Sequence, residues 1–273
     1  MAPLDTLLTG LARERSTGAL RVGRQGTIFL TDGRVTYMEC AQTPGVERLL
    51  TANGRVPESA LRKLQADGGC DRLLREGRVT LGELQYAVLG VVLDAAFFLL
   101  PATGSRPKFR PGERHWLGGQ WFFDVPGLVR ECARRRAQLA RIWPSAEVDS
   151  APVRLATRLP GHGVALSRVQ WEIIAAGERE ATPLELARQL GRTAYSVLLA
   201  VRYLAAAGLL AAPDVQEAAA EAVQEAPALP RRTRRQSERP PERDRHPFGP
   251  AMTGDPTDLS LLMRLKKALE ELS

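Results

Sequence analysis

Cysteine and histidine are scarce in this 273-residue chain, with three of each. Cys40, Cys70 and Cys132 stand far apart, so no pair has the spacing of a metal-ligand set or a redox couple. His115, His162 and His246 are isolated from acidic or thiol neighbours that would make a metal cluster, and are expected to be ordinary surface or loop histidines. The chain also lacks a P-loop, a G-x-S-x-G elbow, a Rossmann glycine fingerprint and zinc-ligand spacing. Isolated carboxylates such as Asp32 and Glu39 are read as turn chemistry and a solvated strand face. The expectation is a protein with no catalytic, cofactor or metal site.

Lysine is sparse too. Almost all of the 38 basic residues are Arg, and the net charge is +7. A basic balance favours anionic partners, but Arg with abundant Ala, Gly and Pro also fits a GC-rich genome. Charge alone therefore does not assign nucleic acid. Long apolar runs are nearly absent. The exception, Leu84 to Leu100, is about 17 residues, the lower limit for a span, and carries Asp94 in its middle. It is read as a buried core helix, with no membrane role. The odd cysteine count and the lack of a secretory-leader pattern give the expectation of a reducing cytoplasm.

What is present reads as α+β: a small antiparallel meander with a helical insert, then an all-α winged-helix-like domain, and a disordered tail with a terminal helix. Residues 3–14 place Leu4, Leu7, Leu8 and Leu11 at helical spacing. Three strand-like runs follow at 19–22, 27–30 and 34–41, and Asp32-Gly33 between the last two is a type I′ hairpin signal. An internal duplication comes next: RLLTANGRVPESAL at 48–61 is echoed by RLLREGRVTLGEL at 72–84. Each copy reads as a helix end, a Gly, a short extended Arg-Val and a new helix start. Two copies are too few for a solenoid, so the insert, about 45–100, is read as paired helical hairpins. The chain then loosens before QWFFDV at 120–125, whose aromatic and β-branched content predicts a strand added to the meander. Pro126 opens a helix with Leu128, Val129, Cys132, Leu139 and Ile142 inward, and Arg130, Arg134, Arg135 and Arg141 outward.

Thr17-Gly18, Leu20, Ile28, Asp32-Gly33-Arg34-Val35 and the insert before the last strand carry a resemblance. Residues 3–142 resemble a PATAN-type domain of bacterial signalling proteins. The resemblance implies a non-catalytic protein-interaction module. PATAN-type domains often accompany response-regulator receivers, and no receiver is read in these 273 residues.

Residues 150–212 read helix, turn, helix, turn, helix, the order of a helix-turn-helix or winged-helix unit. Thr182, Pro183 and Glu185 make a capped start for the second helix, and Gly191 and Gly208 end the second and third. Trp171, Ile173, Ile174, Leu184, Leu186, Leu190, Val197, Val201, Leu204, Leu209 and Leu210 supply a small core. The third helix offers DNA only Arg192, Thr193, Tyr195, Ser196 and Arg202. Thr193 and Ser196 near its start are candidates for a phosphate at the helix N-terminus. Leu198 and Leu199 stand where a reading helix carries polar side chains, and no basic wing follows Leu210. Exposed leucines there favour an apolar interface.

Residues 213–255 have almost no large apolar side chains and are predicted to be a disordered Arg/Pro-rich linker. Arg231, Arg232, Arg234 and Arg235 are candidates for non-specific nucleic-acid contact. Residues 256–273 predict an amphipathic helix. Its stripe of Leu259, Leu262, Leu265, Leu269 and Leu272 would dock in a partner's groove, pair in a homodimer, or pack back on the body. The expected function is a cytoplasmic regulatory adaptor that works through protein partners of the PATAN-type module and the tail helix. The alternative is a transcriptional regulator that binds DNA through the third helix.

Overall fold

Turn chemistry places the meander where the sequence predicts it. β1 (Gly18–Val22), β2 (Gly26–Thr31) and β3 (Arg34–Cys40) pair antiparallel. Asp32 and Gly33 take φ of 49° and 76°, the two positive values that a type I′ turn requires. Leu20 pairs with Ile28 and Ile28 with Met38, so one face of the sheet is a row of buried aliphatic side chains. Burial of each contributes roughly 1.5–3 kcal/mol. α1 (Leu4–Arg13) adds Leu4 and Leu8 to this core, whereas Leu7 is exposed.

The computed structural model describes residues 4–211 apart from 53, 55, 68, 102–106, 159–160, 162 and 177–179, and apart from the side chains of 64, 66, 67, 69 and 70. The predicted linker, the Arg231–Arg235 cluster and the terminal leucine stripe lie outside the described residues. So do His162 and His246.

The fourth strand is not the one expected. β4 (Lys108–Pro111) pairs antiparallel with β1 and gives the sheet order β3-β2-β1-β4. It falls in the stretch read as loose chain, because a lone Phe109 among Lys, Arg and Pro gives no alternation to detect. Residues 120–125 make only one bridge, between Phe123 and Val35. Their aromatic content serves packing instead: Trp121 and Phe123 lie against the core. Asp124 caps the next helix by accepting from the Gly127 N–H at 2.7 Å, and Pro126 commits the chain to helix there.

The duplicated insert forms four helices, α2 (Val46–Thr51), α3 (Glu58–Asp67), α4 (Gly69–Arg75) and α5 (Leu81–Leu99). Equivalent positions of the two copies do equivalent work: Val56 and Val79 are buried, and so are Leu61 and Leu84. A capping box between Thr80 and Glu83 starts α5. Among the described residues α5 is the one helix long and apolar enough to cross a membrane. Its stripe of Leu84, Val88, Val91, Ala95 and Leu99 instead enters the protein core, and α5 packs on β3, α2 and α6 (Val125–Ile142).

A 3-10 turn (Glu147–Asp149) leads to α7 (Arg168–Ala175), α8 (Pro183–Leu190) and α9 (Ala194–Ala206). The predicted cap of α8 is present, with Thr182 and Glu185 bonded reciprocally and Pro183 in the first turn. These helices share a second core that includes Ile173, Leu186, Val197, Val201 and Leu204. Trp171, expected in that core, is 61% exposed. Its position on α7 is one residue off the stripe set by Ile173. The segment before α7 closes this core. Val153 donates to the Ala181 carbonyl at 2.9 Å, Ala156 to Leu209 at 2.9 Å, and Leu155 bridges Leu210. Phe98 on α5 packs against both cores.

Candidate functional site

The start of α9 is the end a DNA-reading helix would present, and here it is built into the protein. α5 carries Asp94 on its buried stripe, with 1% of the residue exposed. Its Oδ2 accepts from the Ala194 N–H at 2.5 Å and its Oδ1 from the Tyr195 N–H at 3.3 Å. Two of the orphan donors of this helix N-terminus, and its positive dipole end, thus meet a carboxylate of the same chain. Gly90, one turn earlier on α5, makes the approach possible: a Cβ there would lie 2.6 Å from Thr193 Cγ2.

Asp94 is paired as well as capping. Arg135 on α6 reaches its Oδ1 with Nη1 at 3.1 Å. The same guanidinium sits 4.3 Å from the Tyr195 ring centre and bonds Glu131 through Nε at 3.1 Å. Arg135 is therefore buried, against the expectation that it faces solvent; the helical pattern alone could not reveal a buried acid on another helix. Burial pushes the Asp94 carboxyl up to about 6, and the Arg135 charge and the two N–H bonds pull against that rise. The Tyr195 hydroxyl donates to Gln138 on α6 at 2.9 Å.

Two arginines fasten α8 to the first half of the chain in opposite directions. Arg48 on α2 donates to the carbonyls of Arg188 and Gln189, at 2.5 and 2.9 Å, and so caps the end of α8. Arg188 donates to the carbonyls of Ala41 and Gln42, both at 2.8 Å. Between α8 and α9, Gly191 takes φ of 60°, and a Cβ on it would lie 1.9 Å from Ala52 Cβ. Only glycine suits both the conformation and the space.

Each of the five side chains assigned to DNA has a contact within the protein. Arg192 forms a bidentate pair with Glu172, at 2.8 and 2.6 Å. Arg202 is 5% exposed, holds both oxygens of Asp149, and donates to the Trp143 carbonyl. Thr193 meets Gly90, Ser196 Oγ donates to the Thr193 carbonyl, and Tyr195 lies under Arg135. Leu198 is 2% exposed and Leu199 half-buried, which removes the exposed leucine pair from α9. Sequence spacing placed these leucines on a solvent face because it could not show that α6 and the 3-10 turn pack on α9 in addition to α7 and α8.

Apolar surface instead lies beside this junction. A cleft of about 570 Å³ runs between α2 and α5 on one side and α7 and the α8–α9 turn on the other. Leu49, Leu50, Val79 and Ala87 line it from one side, and Arg168, Arg192 and Ser196 from the other. Tyr86 also lines the cleft with 76% of the residue exposed. Sequence reading passed over Asp94 as a ligand, Arg48, Arg188, Tyr86 and Arg168. The only signal for any of them was a lone acid inside an apolar run.

Among the described residues, the two cysteine thiols and one histidine are packed away. Burial pushes the thiols of Cys40 and Cys132 up. His115, expected as a surface or loop histidine, lies in a loop but is buried: it stacks on Tyr37 with ring centres 3.9 Å apart, and its Nε2 lies 3.1 Å from Glu39. Loop 112–123 folds over the sheet and buries it. No family model matches this sequence, and no curated protein and no solved structure gives a match to it.

Proposed function

We propose that this protein is a non-catalytic regulatory adaptor that acts through protein contacts in the cytoplasm. The frame is the PATAN-type resemblance of residues 3–142, followed by a winged-helix-like unit. One observation carries the reading against DNA: Asp94 occupies the N-terminus of α9. A duplex phosphate cannot take that position without displacing a buried carboxylate from two N–H groups and an arginine. Arg192 and Arg202 would also have to leave Glu172 and Asp149, at a cost of several kcal/mol for the buried pair. The hydrogen bonds of residues 153–156 to Ala181 and Leu209 close the small core from before α7, so that unit needs no wing hairpin after α9.

The test is a gel shift with the full chain in which Arg231, Arg232, Arg234 and Arg235 are replaced by Ser, so that tail charge does not contribute. No shift of genomic duplex fragments at low salt is expected. A salt-sensitive shift that Arg192→Ala weakens would overturn the adaptor reading in favour of a transcriptional regulator.

A further inference from the structure

The cleft between α5 and the α7–α9 corner joins two kinds of surface. Its floor is aliphatic, from Leu49, Leu50, Val79 and Ala87. Its opposite wall is cationic. Arg168 and Arg192 converge on the single carboxylate of Glu172, at 2.9 and 2.6 Å. Two guanidinium groups sharing one acid leave a unit of positive charge and unused N–H donors. The Arg168 side chain is 80% exposed, so those donors face water. The acid on the other wall, Glu83, is turned to its own helix start, where its Oε2 accepts from the N–H and hydroxyl of Thr80.

The apolar surface extends past the cleft. On α5, Leu81, Tyr86 and Leu89 are all exposed. On α7, Trp171 is exposed one turn beyond Arg168. Tyr and Trp presented beside Arg are the side chains that dominate protein interfaces. A floor for an aliphatic side chain, a cationic wall, and aromatic groups outside the rim together suit an extended or helical segment more than a small molecule held in the cleft alone.

We infer that this cleft is the docking site for an acidic peptide segment of a partner protein, one apolar side chain seated on the Leu49–Val79 floor and an adjacent Asp or Glu bound by the exposed Arg168, while Arg192 stays on Glu172 and adds positive charge to the wall. The inference rests on the adaptor reading and gives it a surface and a ligand chemistry. Because the walls come from both halves of the described chain, a bound segment bridges α5 to α7 and tightens the junction that Asp94 already holds.

The probe is a displayed library of random 16-residue peptides selected on the full-length protein. Enriched peptides are expected to set Asp or Glu within one helical turn of Leu, Phe, Met or Trp. Their affinity should fall about tenfold or more with Arg168→Glu and with Tyr86→Ser, and should weaken as salt is raised. Both residues are largely exposed, so each variant retains the fold, which thermal melting checks. Changing the peptide's acid to Lys should restore binding to Arg168→Glu. Enriched peptides without an acid, binding indifferent to both substitutions, or no enrichment would each overturn the cleft assignment. Peptides that bind but ignore the cleft variants leave the adaptor reading standing on another surface, whereas a specific duplex shift removes that reading itself.

Discussion

Replacing Asp94 by Asn isolates the junction at the start of α9. The carboxyl titrates at about 6 in the folded chain against 3.8 for the ordinary side chain. The folded protein therefore holds this proton more tightly than the unfolded chain does. Its contribution to stability is fully present below the unfolded value and is lost as pH rises through about 6. The shift corresponds to roughly 3 kcal/mol across the whole range, of which about 1.3 kcal/mol falls between about pH 7 and pH 5. Asn keeps the shape and an acceptor for the Ala194 N–H but does not titrate. Urea unfolding of both proteins at the two pH values gives the comparison. The wild type should gain about 1.3 kcal/mol more than Asp94→Asn on going to the lower pH, whatever other groups contribute to both. Equal pH dependence would refute the argument that burial at this junction raises the pKa of the Asp94 carboxyl. Asp94→Ala is the harsher change, since it strands Arg135 and two N–H groups, and should cost about 3–5 kcal/mol at neutral pH.

Three more outcomes follow from the same geometry. Gly191→Ala meets both a left-handed backbone and Ala52, and should cost about 2–4 kcal/mol in chemical denaturation, with Ala52→Gly recovering only the steric part. Gly90→Ala should destabilise by about 1–3 kcal/mol, and Thr193→Ser, which removes the clashing methyl, should recover most of it in a double-mutant cycle. Arg202→Ala should cost about 2–3 kcal/mol because Asp149 loses its partner, whereas the exposed Arg168→Ala should change thermal stability by less than about 0.5 kcal/mol. Equal losses for the two arginines would contradict their placement.

Local signals made much of this fold legible. Asp32-Gly33, the Thr182 cap and the Pro126 helix start each act within a few residues, and each stands where its spacing put it. β4 escaped because its pairing with β1 spans most of the first half of the chain, and its own residues carry little strand character. The arginines were the larger blind spot. Arg135 and Arg202 look like solvent-facing residues in any helical pattern, and only a partner on a distant element makes their burial affordable. The site was hidden for the same reason. Asp94 was visible as an oddity in an apolar run, but that it reaches α9, a hundred residues on, is a tertiary fact. The leucines of α9 misled in the opposite sense, because α9 has more than one neighbour.

Phe98 sets a boundary condition on how this chain can be cut. It lies one helical turn after Asp94 and serves both aliphatic cores at once. A fragment ending at Ile142 would retain the sheet and the insert yet bare a benzyl ring, a carboxylate and a guanidinium that the missing helices normally shield. Such a truncation invites self-association at that wound. A recombinant fragment is better sought by ending after Ala211, the last of the described residues, whose N–H donates to the Arg154 carbonyl.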